Sequence, residues 1–157
     1  MEKLSCPCCG GGLGVIGSRM RGYVDEAGNK CAVSIRRLRC KDCGRIHHEL
    51  PDFLVPYRRH CAETVERIVD GDAGGTSCEC STLRRIGRWF GERAGHFLGC
   101  LESAAVRLGI AIVGGTAPKL RRARDSLGGR RGWLGRLVRV AANTNLWPHT
   151  RSAYCPG

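Results

Sequence analysis

The chain has 157 residues, of which 42% are apolar, 6% are aromatic and 23 are glycines, a composition that argues against disorder throughout and against one large rigid core. Its net charge is +12, and residues 109–157 carry most of it, with nine Lys/Arg against one acidic residue. Such a basic segment favours a polyanionic partner, either nucleic acid or an anionic membrane surface.

No targeting or membrane segment is visible. The N-terminus turns polar and cysteine-rich before an apolar signal region forms, and the longest apolar run, near Leu108–Val113, is far shorter than the roughly 18 residues of a spanning helix. We therefore expect a cytoplasmic protein with no membrane span. Thiols stay reduced in that compartment, so paired cysteines indicate a metal site more often than a disulfide.

The first motif is a pair of matching cysteine turns. Residues 6–10 (CPCCG) and 40–44 (CKDCG) both read C-x-x-C-G, a spacing that lets two sulfurs of one tight turn meet one metal ion. The glycine after the second cysteine tolerates the positive φ of such a turn. We predict one structural Zn²⁺ ion in a closed tetrahedral site, with the ligands Cys6, Cys9, Cys40 and Cys43 and with Cys8 as a spacer. An iron site uses similar ligands and is one alternative. The other alternative is that the four cysteines are buried as small apolar residues and bind no metal.

The residues between the two turns read as strands. LGVIGSRMRGYV and KCAVSIRRLRC are β-rich runs on either side of a turn signature at 25–29, and residues 45–50 can add a third strand. A segment this short cannot build a sufficient hydrophobic core, and a metal ion can replace it. The pattern therefore predicts a zinc ribbon over residues 1–54.

Other polar side chains of this region either have two possible roles or have no predicted role in the metal site. Arg36, Arg37 and Arg39 project from the second strand, either into solvent or toward phosphate groups. Cys31, His47 and His48 stay structural or surface residues because four thiolates already fill the site. Substituting either histidine is therefore not expected to release the metal.

A helical region is predicted over residues 55–108. Apolar spacing favours a first helix over 57–69, with Pro56 in its first turn and Gly71 after its end. After a glycine-rich stretch, Ser81 is expected to cap a second helix over 82–90.

An apolar stripe with helical spacing continues from the second helix to the end of this region, and the glycines along it can split it in two. Its members are Leu83, Ile86, Phe90, Ala94, Phe97, Leu101, Ala104 and Leu108. Arg84, Arg85 and Arg88 lie on the opposite face, as in a recognition helix of helix-turn-helix type. An amphipathic helix whose arginines face water explains them equally well, since the preceding loop exceeds a three- to four-residue turn.

Four cysteines of the helical region have no assigned role. They are Cys61, Cys78, Cys80 and Cys100, and a second metal site built from them lacks any further C-x-x-C motif. Whether they form such a site stays open at this level.

The last segment, 109–157, is predicted to be a basic C-terminal helix and tail. Its candidate phosphate contacts are Lys119, Arg121, Arg122, Arg124, Arg130 and Arg131. A short helix follows over 133–141, with apolar residues on one side and arginines beside them. That helix could also lie on a membrane surface. However, the arginines upstream of it outnumber the large apolar anchors, which favours contact with phosphate groups.

Several segments resemble, in this order, a bacterial family catalogued as a domain of unknown function. They are CPxCG, RRLRCKDCGRIHHELPDFLVPYRRHCAETVERI, STLRRIGRWF and NTNLWPHTRSAY. Members of that family are often met alongside mobile elements and resemble the N-terminal zinc-ribbon and helix-turn-helix portions of transposases. The resemblance implies a metal site at the four cysteines of the two C-x-x-C-G turns, and it implies that residues 81–90 form the recognition helix.

No catalytic motif is visible, so we expect no enzyme. After Glu102 the only acidic residue is Asp125, which leaves strand-transfer chemistry without metal ligands, and no nucleotide-binding or acyl-transfer motif occurs. Thiol-redox chemistry at Cys6 and Cys9 is the best enzymatic rival.

The sequence thus predicts an α+β protein with a small zinc-ribbon sheet, a helix-turn-helix-like region and a basic C-terminal arm. Its expected role is that of a DNA-binding accessory or transposase-derived protein. RNA binding or docking to a protein, either a transposase or a second copy, are the alternatives.

Overall fold

The structure, a computed structural model, describes residues 4–148 and 152–153. Its first elements form a β-sheet. Strands β1 (Leu13–Val24), β2 (Lys30–Cys40) and β3 (Ile46–Glu49) pair antiparallel in chain order. The short strand β4 (Ser152–Ala153) adds to β3 in parallel and completes the order β1-β2-β3-β4. The three predicted strands and the turn between the first two are confirmed, and the α+β class with them.

The turn between β1 and β2 follows from two local features. Gly28 adopts φ +88°, which a side chain would strain, and the carboxylate of Asp25 accepts a hydrogen bond from the backbone N–H of Asn29 at 2.8 Å. These interactions fix the register of the hairpin. The cysteine turn after β2 is thereby brought beside the cysteine turn before β1.

In the part of the chain that the structure describes, five helices lie between β3 and β4. They are α1 (Ala62–Val69), α2 (Cys80–Glu92), α3 (Ala94–Leu108), α4 (Lys119–Ser126) and α5 (Trp133–Asn143). The helix predicted over 133–141 is therefore present as α5. Its apolar side packs against α1 and α3, and Leu134 and Leu137 are fully buried. This part of the basic C-terminal segment belongs to the body of the protein.

Two helix starts differ from the sequence prediction. The first helix begins at Ala62 instead of Tyr57, because sheet contacts hold the preceding residues in an irregular path: the backbone N–H of Val24 donates to the carbonyl of Arg59 at 2.8 Å. The second helix begins at Cys80 with Glu79 at the N-cap position, so Ser81 lies in its first turn and is not the cap.

The apolar stripe is divided between two helices. Arg93, with φ −102° and ψ 10°, ends α2 and begins α3, so the chain bends at that point. Phe90 before the bend and Phe97 after it are both fully buried and stack with ring centroids 5.5 Å apart. Leu108 at the end of the stripe is about half exposed.

Contrary to the expectation from composition, one hydrophobic core of the described residues joins the sheet to all five helices. Ile35 of β2 contributes to it from one side, and Trp147, after α5, closes it against Phe90 and Phe97. Of the segment NTNLWPHTRSAY, residues 149–151 and 154 lie outside the described residues. The core is helical in the main and leaves the cysteine turns at the far end of the sheet.

Candidate functional site

The two cysteine turns place four sulfurs around one point. The Sγ atoms of Cys6 and Cys43 are 3.7 Å apart, those of Cys9 and Cys40 are 3.5 Å apart, and all four lie within 4.8 Å of one another. A tetrahedron of thiolates with zinc–sulfur bonds of about 2.3 Å has sulfur–sulfur edges of about 3.8 Å. The predicted ligand set therefore forms a cluster of the size that a tetrahedral metal ion requires.

Each turn is built by its own backbone. The N–H of Cys8 points at the sulfur of Cys6 at 3.4 Å, and the N–H of Cys43 points at the sulfur of Cys40 at 3.5 Å. Gly10 and Gly44, at φ +75° and +69°, follow the second cysteine of each turn, as the motif predicted. These amides stabilise thiolate charge, which a structural metal site needs.

The cluster has a buried side and an open side. Cys6 and Cys40 are buried, whereas Cys9 and Cys43 are exposed. Burial raises the pKa of the Cys6 thiol to about 12, while the N–H of Cys43 lowers the pKa of Cys40 to about 7. A divalent cation held here would be bound by all four as thiolates, and its binding would release the protons that they hold.

His47, which the sequence predicted to be a structural or surface residue and not a ligand, is a buried neighbour of this cluster. Its Nε2 atom is 3.3 Å from the sulfur of Cys6, and its side chain is fully buried. Cys6, Cys8 and His47 also form a second group of ligand atoms within 4.8 Å of one another. The alternation of side chains along a strand could have revealed the position of His47. Leu38 and Cys40 lie two residues apart on β2 and therefore share one face of the sheet. His47 pairs with Leu38, so it lies on the same face as Cys40.

The four cysteines of the helical region do not form a second cluster within the described residues. Three of them have separate neighbours: Cys61 lies 3.3 Å from the hydroxyl of Thr64, Cys78 lies 3.5 Å from Nδ1 of His60, and Cys100 lies 3.6 Å from Nε2 of His96. Cys80 is exposed at the start of α2.

The predicted recognition helix presents its arginines to solvent. Arg84, Arg85 and Arg88 are exposed on α2, while Ile86 and Phe90 on the other side of the helix are buried. Ten residues, 70–79, connect α1 to α2. This helix pair therefore lacks the short turn of helix-turn-helix proteins, although its outer face is strongly basic.

The six predicted phosphate contacts of the C-terminal segment differ in their surroundings. Exposed side chains are those of Lys119, Arg121, Arg130 and Arg131. Three of the six contact the protein itself: Arg122 donates to the carbonyl of Val113 at 2.9 Å, Arg124 lies 3.5 Å from Asp70, and the exposed Arg131 lies 3.0 Å from Glu26.

A further basic feature arises from residues for which apolar spacing predicted a helix. Residues 57–60 precede α1 in irregular backbone and face the first two turns of α2 across a cleft. The guanidinium of Arg58 lies 4.4 Å from the ring centre of Trp89, and that of Arg93 lies 4.5 Å from the same centre. No periodicity in the sequence signals this arrangement, because sheet contacts produce it.

The comparisons with known proteins give one family and no individual relative. The family described as Domain of unknown function (DUF6431) matches residues 6–89, which is more than half of the chain and includes both cysteine turns and most of α2. No curated protein and no solved structure matches the chain at a significant level. Among the described residues, no helix has the length and apolar character needed to cross a membrane.

Proposed function

The chain belongs to the family described as Domain of unknown function (DUF6431), and from its geometry we propose a zinc-binding, DNA-binding accessory protein with no catalytic domain of its own. In this proposal the metal ion is structural. It joins the two ends of the β1–β2 hairpin, where the helical core does not reach.

The observation that carries the DNA part is the outer face of α2. Arg84, Arg85 and Arg88 are exposed there, and within the described residues no ion pair joins any of the three to a carboxylate. Three arginines on one helix face without neutralising partners attract phosphate groups, and their charge is available to a polyanion. Lys119 and Arg121 on α4 supply further exposed positive charge.

The experiment measures affinity for duplex DNA as a function of salt. For the zinc-loaded protein and a labelled duplex of about 20 base pairs, the logarithm of the binding constant should fall steeply with the logarithm of salt concentration. Replacing Arg84, Arg85 and Arg88 together by glutamine should reduce the slope by about three, close to one for each lost phosphate contact. Arg107→Gln, at another exposed helical arginine, is the control and should change the slope little.

Two results would overturn the proposal. One is binding that is weak and insensitive to salt. The other is an RNA competitor that displaces the duplex at much lower concentration than unlabelled DNA does, which would transfer the function to RNA.

The mobile-element setting is part of the same proposal. The order of the segments, with paired cysteine turns first and an arginine-bearing helix after them, supports a role beside a transposase or descent from one. A transposase that co-purifies with the zinc-loaded protein and is lost with the arginine variant would support an accessory role.

A further inference from the structure

The cleft between the loop before α1 and the first two turns of α2 has the composition of an anion site. Its volume is about 560 Å³. The described residues that line it are Tyr57, Arg58, Arg59, His60, Thr82, Arg85 and Ile86. Three of these are arginines and none is acidic, so the cleft concentrates positive charge within a small volume.

The arginines are held close together in spite of their repulsion. Arg58 is partly buried, and burial together with the charges of Arg85 and Arg93 lowers the pKa of its guanidinium. Burial also lowers the pKa of His60, so the positive charge of the cleft at neutral pH comes from its arginines. An anion between these guanidinium groups would relieve the repulsion.

Hydrogen bonds from the sheet hold in place the loop that precedes α1 and carries several of these side chains. Arg21 of β1 donates from Nη2 to the carbonyl oxygens of Val55 at 2.9 Å and Arg58 at 3.0 Å. The backbone N–H of Val24 donates to the carbonyl of Arg59 at 2.8 Å. A site held in this way loses little conformational freedom when a ligand binds.

Tyr57 adds an aromatic surface at the rim of the cleft. It is 74% exposed, and its backbone has φ +57°, a conformation that residues other than glycine seldom adopt. An exposed ring beside several guanidinium groups suits an unpaired base, because bases stack on aromatic side chains while arginines bind the adjoining phosphate. Neither burial nor core packing accounts for the position of this ring.

We propose that the cleft binds one unpaired nucleotide of DNA, with its phosphate on Arg58, Arg59 and Arg85 and its base on Tyr57. The volume is within the range of small-molecule pockets and accommodates a nucleotide. This inference rests on the proposed function, and it adds a preference for DNA that has a single-stranded or flipped-out residue.

The test compares a labelled thymidine dodecamer with a duplex of the same length. Tyr57→Asn, chosen because asparagine tolerates positive φ, should weaken binding of the single strand by about tenfold and leave duplex affinity within about twofold. Tyr57→Phe keeps the ring and should restore the single-strand affinity. Arg59→Gln should reduce the salt slope for the single strand by about 0.7, whereas the control Arg107→Gln should not.

A second experiment monitors anion binding in the cleft in the absence of DNA. Since Arg58 lies over Trp89, pyrophosphate bound to Arg58 should change the tryptophan emission, and the change should vanish in Trp89→Phe. This variant must first show an unaltered circular dichroism spectrum.

The outcomes separate this inference from the function on which it rests. Duplex binding by the wild type, with single-strand affinity equal in Tyr57→Asn and Tyr57→Phe, overturns the nucleotide site alone. Failure of the wild type to bind either DNA overturns the proposed function as well. A uridine dodecamer that binds much more tightly than thymidine overturns the assignment of the occupant to DNA.

Discussion

The Nε2 atom of His47 lies 3.3 Å from the Sγ atom of Cys6, and both side chains are buried. A thiolate bound to a metal ion can only accept a hydrogen bond, so the tautomer that fits a loaded site has its proton on Nε2. In that state the imidazole donates to the sulfur and stabilises its charge. We therefore expect His47 to act as a positioning residue beside the ligands of the candidate metal centre.

We expect His47→Leu to weaken zinc binding by about tenfold to a hundredfold while the stoichiometry stays at one ion, because partners that orient metal ligands typically have this effect. Competition with a chromophoric chelator measures the affinity. His48→Leu, at the adjacent position of β3, is the matched control and should change it little. Complete loss of the ion from the His47 variant would mean that the histidine is itself a ligand.

The two overlapping groups of ligand atoms can be separated by a pair of serine substitutions. Cys9→Ser should abolish tight binding of one ion, whereas Cys8→Ser should retain it, if Cys6, Cys9, Cys40 and Cys43 are the ligands. Metal analysis after gel filtration gives the stoichiometry, and the visible spectrum of the cobalt-substituted protein reports the number of sulfur ligands. The reverse pattern would assign the ion to the group that contains His47.

A glycine substitution tests the geometry of the second cysteine turn. Gly44→Ala forces an L side chain into φ +69°, which costs about 1–2 kcal/mol and should lower zinc affinity by about tenfold. Gly12→Ala is the matched control, since Gly12 lacks a positive φ and an added Cβ would meet open space there. Equal affinities for both variants would show that the turn tolerates the strain without effect on the site.

The buried carboxylate of Glu66 links α1 to the start of α5. It accepts hydrogen bonds from the backbone N–H groups of Gly132 at 2.9 Å and Leu134 at 3.0 Å. Glu66→Gln replaces one acceptor by a donor and should lower the free energy of unfolding by about 2 kcal/mol. Urea denaturation measures this loss, and Glu102→Gln, at an exposed position on α3, should leave stability within about 0.5 kcal/mol of the wild type.

Removal of the metal should destabilise the end of the molecule that carries the cysteine turns and leave the helical core intact. Hydrogen exchange after chelation should show lost protection in β1 and β2 near the cysteine turns, whereas α3 and α5 should remain protected because Phe97 and Leu137 are fully buried in the helical core. Unchanged exchange in both strands would show that the ribbon holds its shape without metal. Loss of protection in all elements would show that the core depends on the ion.

The sequence by itself determined which four cysteines form the candidate metal site and which strands lie beside it. Two C-x-x-C-G turns are local patterns, and the positive φ of Gly10 and Gly44 is a property of each turn alone. Strands β1 and β2 could be read from runs of β-forming residues around the turn at 25–29. The existence of α2 and α5 likewise followed from apolar spacing within each segment.

Only the tertiary structure decided the path of residues 56–61, where helical spacing predicted a helix that contacts with β1 prevent. Arg21 and Val24 bind the backbone of this loop, and these partners lie more than thirty residues away in the chain. The tertiary structure also decided the role of Glu66, because its carboxylate accepts a hydrogen bond from the backbone at the start of α5, far downstream in the chain. Local periodicity reports which face of a segment is apolar, but a hydrogen bond between distant segments exists only after the chain has folded.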